Sequence, residues 1–344
     1  MTIEIPESNK APGLHYAFAG NGRELPIIDI TDSTFLNALP DSRELEVLRR
    51  RYLEQTERSH RMPRWLWNLF MWQLRRKSQI YKAVDDAAGS FLPGLSTYLM
   101  KLPPAMLGAW ANRYDRKVAC SLPSVAVRLR LHHMATLASQ AIAPLLKAKP
   151  DTPLHIINIA GGPCSDTFNT LRLLQKYQHG LLSGRRVRIT VLDLDSTGPA
   201  FAKRALNAWL QPGAPLHGLD ITLEHRLYDW NRIGMLKNLT TNPDLFNSTV
   251  LVSSEGGLFE YGTDSAISAN LQTLLAQLPP ATIIVGSVTR KGEVMQSFKS
   301  PPGGKQRSTI PRSLEEFGAL AKTGGWKLVK AEENLLSWDV QLAR

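Results

Sequence analysis

Short apolar runs rich in β-branched residues alternate with helix-like stretches after residue 150, and this alternation limits the fold more than any other feature. Seven runs have the length and composition of strands, at 154–160, 187–193, 221–228, 249–253, 282–288, 326–329 and 338–342. Helices are expected between them at 165–177, 199–210, 265–277 and 313–322. Because a parallel strand pair needs a crossover of a dozen or more residues, usually a helix, the pattern predicts an α/β fold with a parallel sheet.

The first 143 residues have a different character. Residues 1–41 mix proline, glycine and short apolar runs, and they are predicted to form an extended arm. Residues 42–143 are predicted to be mainly helical, and residues 144–344 to form the sheet domain. A chain of 344 residues is long enough for such a division.

Positive charge is concentrated in the helical part. Residues 49–150 carry 18 Lys and Arg against five Asp and Glu, a net charge of +13, whereas the whole chain carries +11. Such a segment is typical of a protein with an anionic partner or substrate. A well-solvated basic surface gives the same pattern, so both interpretations stay open.

An aromatic block runs from Trp65 to Trp72 between basic side chains. It fits three roles: packing in the core or as a lid, an oligomer interface such as that of a homodimer, or a helix on a membrane surface. No run of 18 apolar residues occurs, so a transmembrane helix is not expected. The N-terminus lacks the apolar stretch of a secretory signal, and two cysteines are too few for a disulfide framework, so a cytoplasmic location is expected.

Three predicted strands end in residues suited to bind a nucleotide. The first ends at 160–163, a turn whose small residues let a ligand approach the backbone. The second ends at 193–195, where Asp193 can accept hydrogen bonds from both ribose hydroxyls and Asp195 can cap the next helix. The third ends at 228–230, where a carboxylate can bind an adenine amino group and an aromatic ring can pack on the base.

With these motifs, the sequence resembles the class I S-adenosylmethionine-dependent methyltransferases over roughly residues 125–344. The resemblance rests on 157–163, 191–195, 228–230 and the late helix, Gly-Gly turn and two closing strands. It implies a Rossmann-like, seven-stranded, mostly parallel sheet with an N-terminal helical lid, and S-adenosylmethionine as the cofactor. A nicotinamide dehydrogenase fits less well, because the Gly-x-Gly-x-x-Gly series is missing.

The resemblance also implies roles for single residues. Gly162 is expected to face the methionine and sugar, Asp193 to hold the ribose, and Asp229 with Trp230 to frame the adenine. Arg128 or its neighbour Arg130 is expected to pair with the methionine carboxylate. The expected cofactor-binding set is Asn158, Ala160, Gly161, Gly162, Pro163, Asp193, Leu194, Asp229, Trp230, Ser254 and Arg128.

Three positions depart from the family pattern. The family usually has an acid where Asn158 stands, and glycines where Ala160 and Cys164 stand. The neutral amide removes negative charge near the methionine ammonium, and the two side chains narrow the turn. Cys164 is interpreted as structural, because a nucleophilic Pro-Cys pair in related cytosine methyltransferases follows the fourth strand and not the first.

The fourth strand leads into a candidate reacting region at 253–262. Glu255 is placed to act as a general base or to hold a substrate amine, and a structural hydrogen bond is its alternative role. Tyr261 and Phe259 can present aromatic faces to the sulfonium or serve as core residues. Glu255 and Tyr261 are the catalytic candidates, and no metal is expected. The stretch 290–312 is predicted to be a loop that shapes the acceptor pocket.

Three functions remain open. The first is methylation, at O, N or C, of a small anionic metabolite such as a biosynthetic intermediate, with the helical segment as a lid. The second keeps S-adenosylmethionine and drops the acceptor: its own amine attacks the γ-carbon to give azetidine-2-carboxylate and methylthioadenosine, and the neutral Asn158 suits this reaction. The third, which is not the main expectation, is a nucleic-acid or protein methyltransferase whose binding would weaken steeply with salt.

Overall fold

The computed structural model describes residues 5–6, 10–20, 22–86, 94–239, 243–295 and 309–344. In the N-terminal arm, β1 (Tyr16–Phe18) pairs antiparallel with β2 (Glu24–Pro26), and the short helix α1 (Ser33–Leu36) follows. Asn169 binds the main chain of 28–30 twice, accepting one hydrogen bond at 2.8 Å and donating another at 2.9 Å. The predicted extended arm therefore contains a hairpin and is fixed to the rest of the chain.

The helical segment contains α2 (Ser42–His60), α3 (Arg64–Lys77), α4 (Gln79–Asp86), α5 (Gly94–Lys101), α6 (Arg113–Ala119) and α7 (Leu122–Ala148). A capping box formed by Asp41 and Glu44 begins α2. Pro103 and Pro104 separate α5 from α6, since proline cannot continue a helix. In the described part of the chain, no helix has the length and apolar character needed to cross a membrane.

The sheet consists of β3 (Leu154–Ile159), β4 (Arg186–Asp193), β5 (Asp220–Leu227), β6 (Thr249–Ser254), β7 (Ile283–Thr289), β8 (Lys327–Glu333) and β9 (Ser337–Ala343). The strand order is β5-β4-β3-β6-β7-β9-β8. Strands β3 to β7 are parallel, and β9 runs antiparallel to both of its neighbours. The predicted Rossmann-like, seven-stranded, mostly parallel sheet is confirmed.

Further helices connect the strands: α8 (Ser165–Tyr177), α9 (Thr197–Trp209), α10 (Gly234–Leu239), α11 (Leu258–Tyr261), α12 (Asp264–Gln277) and α13 (Leu314–Thr323). Helix α8 begins and ends at the predicted residues, and α9, α12 and α13 begin and end within two residues of them. The short helices α10 and α11 were not predicted, because their four to six residues are too few for a helical period to show.

Two hydrophobic cores cover the two faces of the sheet. Strands β3, β6 and β7 are buried along their whole length, as expected for central strands of a sheet covered on both faces. Ile156 and Leu251 face a core shared with α7, α8, α9 and the arm, whereas Ile157 and Val252 face a core shared with α12 and α13. The predicted domain boundary at residue 143 lies inside α7, a helix of the first core.

Helix α3 has no buried residue. Its side chains Trp65, Phe70 and Trp72 are 69%, 52% and 53% exposed. Of the three roles predicted for the aromatic block, packing in the core is therefore wrong, and no residue of α3 lines the cavity described below as a lid would. An oligomer interface and a membrane surface remain open.

Candidate functional site

A cavity of about 370 Å³ lies at the carboxyl ends of β3 to β6. The chain order of the strands reverses between β3 and β6, and open α/β sheets bind ligands at this reversal because the flanking loops leave a crevice there. Helix α5 supplies part of the wall. The lining residues are Gly94, Thr97, Lys101, Ala160, Gly161, Pro163, Ser165, Leu192, Asp193, Leu194, Asp195, Tyr228, Trp230, Glu255, Gly256, Gly257 and Tyr261.

The turn after β3 holds two residues in the left-handed backbone conformation. Ala160 has φ +57° and Cys164 has φ +56°. These are the positions at which the family pattern has glycine, so each retains strain of about 1–2 kcal/mol. Ala160, Gly161 and Pro163 line the cavity. Cys164 is buried and its thiol pKa is raised by that burial, which fits a structural residue and not a nucleophile.

Gly162 does not line the cavity, because α5 covers it. A methyl group on Gly162 would lie 2.9 Å from the Cα of Gly94, and one on Gly198 would lie 2.8 Å from the Cα of Gly162. Three backbones therefore meet with no room for a side chain between them. The expectation that Gly162 faces the methionine and sugar is corrected: its backbone packs against α5 and α9, and its N–H donates to Asp193 at 2.8 Å.

Asp193, at the end of β4, lines the cavity. Its carboxylate accepts hydrogen bonds from the backbone N–H groups of Gly162 and Asp195, both at 2.8 Å. Burial raises the pKa of Asp193, and these two bonds oppose that effect. Because a carboxylate has about four acceptor sites, two remain for a ligand. Asp195 caps the start of α9 as predicted, and Leu194 lines the cavity between the two acids.

The third strand end differs from the prediction at Asp229. Its carboxylate accepts two hydrogen bonds from Asn231, at 2.9 and 3.0 Å, and it does not line the cavity. Tyr228 and Trp230, on either side of it, do line the cavity. The Tyr228 hydroxyl donates to Asn270, whose amide donates to the Trp230 carbonyl at 2.8 Å. The predicted pair of Asp229 and Trp230 is therefore corrected to Tyr228 and Trp230.

Glu255 stands at the end of β6 between two cations. Its carboxylate forms ion pairs with Lys101 of α5 and with Arg130 of α7, the latter at 3.0 Å, and Arg130 also pairs with Glu260 at 3.1 Å. Burial acts to raise the pKa of Glu255, but the two cations outweigh it and the pKa is lowered. Glu255 is therefore ionised at neutral pH and is a weak base. A role in holding charge fits this geometry better than general-base catalysis.

Acids outnumber bases along the cavity wall. Among the described residues, Asp193, Asp195 and Glu255 line it together with one cation, Lys101. The remaining Lys and Arg side chains of the described part of 49–150 do not line it. The cavity therefore suits a ligand with net positive charge, and the positive surface of the helical segment lies elsewhere.

Asn158 lies beneath the turn and does not line the cavity. Its amide donates to Asp166 at 2.9 Å, and its Oδ1 has no hydrogen-bond partner in the described part of the chain. Burial, followed by the charge of Glu255, raises the pKa of Asp166. A methyl group on Gly161 would lie 2.5 Å from this Oδ1, so position 161 needs glycine. Asn158 thus supports the turn from below instead of contacting a ligand in the cavity.

Arg128 is not brought to the site. Its buried guanidinium donates to the carbonyls of Lys101, Leu102 and Ala119, at 3.1, 3.1 and 3.0 Å, and to that of Ala38 at 3.3 Å. The expected contact with a methionine carboxylate is corrected, because these donors already hold the end of α5 to the start of α7. Its neighbour Arg130 does not line the cavity and pairs with Glu255, which does.

Of the remaining candidates in the reacting region, one lines the cavity and the others do not. Tyr261 lines the cavity. Ser254 does not, and its hydroxyl accepts a hydrogen bond from the N–H of Leu258 at 3.1 Å. Phe259 packs on Phe317 with ring centroids 5.0 Å apart, so it is a core aromatic. Of the predicted acceptor loop 290–312, residues 296–308 lie outside the described part of the chain.

The sequence analysis missed the residues that α5 brings to the cavity. Gly94, Thr97 and Lys101 all line it, and Lys101 pairs with Glu255 across 154 positions of sequence. A lid from the helical segment was expected, but no local pattern distinguishes α5 from its neighbours. The lone signal was a lysine on a short, otherwise uncharged helix.

The sequence matches no protein-family model and no curated protein, but the structure is similar to solved ones. A possible exported protein from Bordetella parapertussis is 17% identical, with a TM-score of 0.52, over 79% of this chain and 84% of that chain. Magnesium protoporphyrin IX methyltransferase from Synechocystis PCC 6803, with bound SAH, is 14% identical, with a TM-score of 0.42, over 64% and 87%. Human N-acetylserotonin methyltransferase, in complex with SAM, is 14% identical, with a TM-score of 0.36, over 62% and 55%. At these identities the first likeness supports the shared fold alone.

Proposed function

We propose that this chain binds S-adenosylmethionine in the cavity and transfers its methyl group to a small molecule. One observation carries the proposal. The ends of four neighbouring strands surround a single cavity that holds an acid at the end of β4, two aromatic side chains at the end of β5 and a buried ion pair at the end of β6.

The residues present fit this ligand in charge. S-adenosylmethionine carries a sulfonium, an ammonium and a carboxylate, so its net charge is positive. The lining has three acids and one cation, which complements that charge. The unused acceptor sites of Asp193 match a pair of ribose hydroxyls in chemistry.

Each part of the ligand has suitable side chains in the cavity. Asp193 would hold the ribose, and Tyr228 with Trp230 would flank the adenine. Glu255 would attract the ammonium, and Lys101 would attract the carboxylate, because the two side chains offer opposite charges next to each other. These assignments replace the predicted roles of Asp229 and Arg128.

For methyl transfer, the protein's main tasks are to position the reactants and to keep water out of the site. The bound S-adenosylmethionine supplies an electrophilic methyl group, and the protein must hold the acceptor in line with it and exclude water. Helix α5 provides the cover, since its Gly94 lies against the turn and its Lys101 pairs with Glu255. Tyr261 stays the candidate to face the acceptor, because it lines the same cavity from α11.

The acceptor is proposed to be small because the cavity is narrow and walled by α5. The predicted negative charge of the acceptor has no support from the described part of the lining, where the one cation is paired with Glu255. The proposal therefore specifies the size of the acceptor and leaves its charge open.

Cyclisation of S-adenosylmethionine is the second candidate, and the size of the cavity favours it. A volume of about 370 Å³ is near the lower end of the roughly 300–1,000 Å³ that hold one drug-sized ligand. In this reaction the substrate's own amine forms a bond to the γ-carbon, the bond from that carbon to sulfur breaks, and the amine loses a proton. No acceptor has to enter, so one ligand fills the site.

Product analysis distinguishes the two candidates. The purified protein is incubated with S-adenosylmethionine alone and then with a small-molecule cell extract, and the nucleoside products are identified by mass spectrometry. Adenosylhomocysteine that forms only with extract supports methyl transfer, whereas methylthioadenosine formed without extract supports cyclisation. Asp193→Asn should lose either product, and Asp220→Asn, at the opposite end of the neighbouring strand, should not. If neither product forms and S-adenosylmethionine does not bind, both candidates are wrong.

A further inference from the structure

Helix α3 presents an apolar face directly away from the protein. At 100° per residue, the half-buried Trp67, Met71 and Leu74 share the inner face of the helix. Trp65, Leu69 and Trp72 recur at the same spacing on the opposite face. Two indoles and an isobutyl group therefore form a row on the outermost side of the helix.

The exposure of this row is unusual within the molecule. Trp65, Leu69 and Trp72 are 69%, 45% and 53% exposed, and Leu66 and Phe70 beside them are 37% and 52% exposed. Five of the eleven exposed large hydrophobic side chains of the described residues thus lie on one 14-residue helix. A contiguous apolar patch of this kind marks a surface that contacts another molecule or a membrane.

Positive charge surrounds the row. Residues 49–77 carry nine Lys and Arg against two Glu. In the last turn of α3, Arg75 pairs with Asp85 and Asp86 of α4, and Arg76 and Lys77 follow it. The guanidinium of Arg76 lies over the Trp72 ring, 4.7 Å from its centroid. A second copy of this chain would bring the same positive charge against it in a two-fold contact, which opposes self-association.

We propose that α3 is an interfacial helix that binds the surface of a bilayer containing anionic phospholipids. Tryptophan is the side chain that most favours the membrane–water interface, and long basic side chains can bury their stems there while their charged ends meet lipid phosphates. Fourteen residues are too few to span a bilayer but suffice to lie along its surface. The inference does not depend on the proposed function, since α3 does not line the cavity.

Vesicle co-sedimentation of the full chain tests this proposal. Binding to phosphatidylcholine vesicles that contain phosphatidylglycerol should exceed binding to phosphatidylcholine alone by about tenfold or more, and salt should reduce it. The variant Trp65→Ser/Leu69→Ser/Trp72→Ser should lose about tenfold or more of this binding, because it removes the outer row. Leu227→Ser/Phe246→Ser, which removes two exposed apolar side chains elsewhere, is the matched control and should bind as the unmodified chain does.

Other outcomes would overturn the proposal. Circular dichroism spectra must match before the variants are compared. Arg76→Gln/Lys77→Gln leaves the apolar row in place and tests the charge separately, so it should weaken binding to the anionic vesicles. Equal binding to neutral and anionic vesicles, no binding to either, or full binding by the triple serine variant would contradict it. Dimers in analytical ultracentrifugation that the triple variant abolishes would assign the row to a second copy. Salt-sensitive binding to DNA or RNA without vesicle binding would assign the helix to nucleic acid.

Discussion

The close packing of Gly162 against Gly94 and Gly198 allows the effect of a substitution on the free energy of unfolding to be predicted. Gly162→Ala adds one methyl group at φ +46°, 2.9 Å from the Cα of Gly94. Two penalties combine at this position. The left-handed conformation disfavours alanine, and the neighbouring backbone of α5 must move to admit the methyl group.

The two penalties can be assigned magnitudes. Alanine in the left-handed region costs about 1–2 kcal/mol. Roughly 0.4–1 kcal/mol of this cost is offset, because the unfolded chain is less flexible with alanine than with glycine at this position. The collision adds about 1–3 kcal/mol, the range for a methylene forced into a packed interior. Gly162→Ala should therefore lower the free energy of unfolding by about 3 kcal/mol.

Two other glycines separate the penalties. Gly184 has φ +67° and open space around it, so Gly184→Ala should lose about 1 kcal/mol from conformation alone. Gly198 lies in the first turn of α9 without a positive φ, and a methyl group there would lie 2.8 Å from the Cα of Gly162. Gly198→Ala should therefore lose about 1–2 kcal/mol from the collision, after the gain from a better helix former.

Urea denaturation followed by circular dichroism measures all three free energies of unfolding. We expect Gly162→Ala to be less stable than Gly184→Ala by about 2 kcal/mol. If the two variants lose the same free energy, α5 does not lie against the turn, and the cover over the cavity is wrongly described.

Three further changes test other parts of the structure. Burial raises the pKa of Asp339 to about 7, so the folded state favours its protonated form, and this stabilisation is lost as pH rises from about 4 through about 7. Asp339→Asn should therefore reduce the pH dependence of the free energy of unfolding by up to about 4 kcal/mol between low and neutral pH, as measured by urea denaturation. Arg128→Lys should lower the free energy of unfolding by about 2–3 kcal/mol, because the three donors of one ammonium cannot replace the planar guanidinium that donates to four carbonyls, and an unchanged melting temperature would contradict this. Ala160→Gly should raise the free energy of unfolding by up to about 1 kcal/mol through relief of strain at φ +57°, so a loss of stability in the same assay would argue against that strain.

Periodicity and strand-end chemistry were enough to predict the sheet and much of the cavity. The carboxyl ends of parallel strands meet at one edge, so the sequence alone predicts that Asp193, Gly161 and Trp230 lie close together, as they do in the cavity. The helix at 165–177 was predicted at its observed bounds because its apolar spacing is regular and the strands on both sides limit its length.

Asp229 was assigned wrongly because donors close to it in sequence occupy its carboxylate. An aspartate readily accepts hydrogen bonds from the backbone two positions later, and Asn231 supplies both a backbone and a side-chain donor. The Asp-x-Asn spacing in the sequence indicates this local turn, whereas the resemblance to the methyltransferase family indicates a contact with adenine. Tyr228 was present in the same motif and needed only the alternation of the strand end to place it in the cavity.

Contacts between distant parts of the chain could not be predicted. The ion pair of Lys101 with Glu255 joins residues 154 positions apart, and the packing of Gly94 on Gly162 depends on how α5 approaches the turn. Arg128 was expected at the ligand because it lies near the first strand, yet three carbonyls of α5, α6 and their connection bind it first. Charge counting had the same limit, since Lys101 is the one Lys or Arg side chain of the described part of the +13 segment that lines the cavity.

A crystal structure of the chain with S-adenosylhomocysteine would show whether these strand ends form one adenosyl site. We expect density for the adenosyl group in the cavity, with its ribose hydroxyls within hydrogen-bond distance of Asp193 and its base between Tyr228 and Trp230. A complex with the nucleoside bound elsewhere, or a cavity that stays closed at saturating ligand, would contradict the assignment of these strand ends to one adenosyl site.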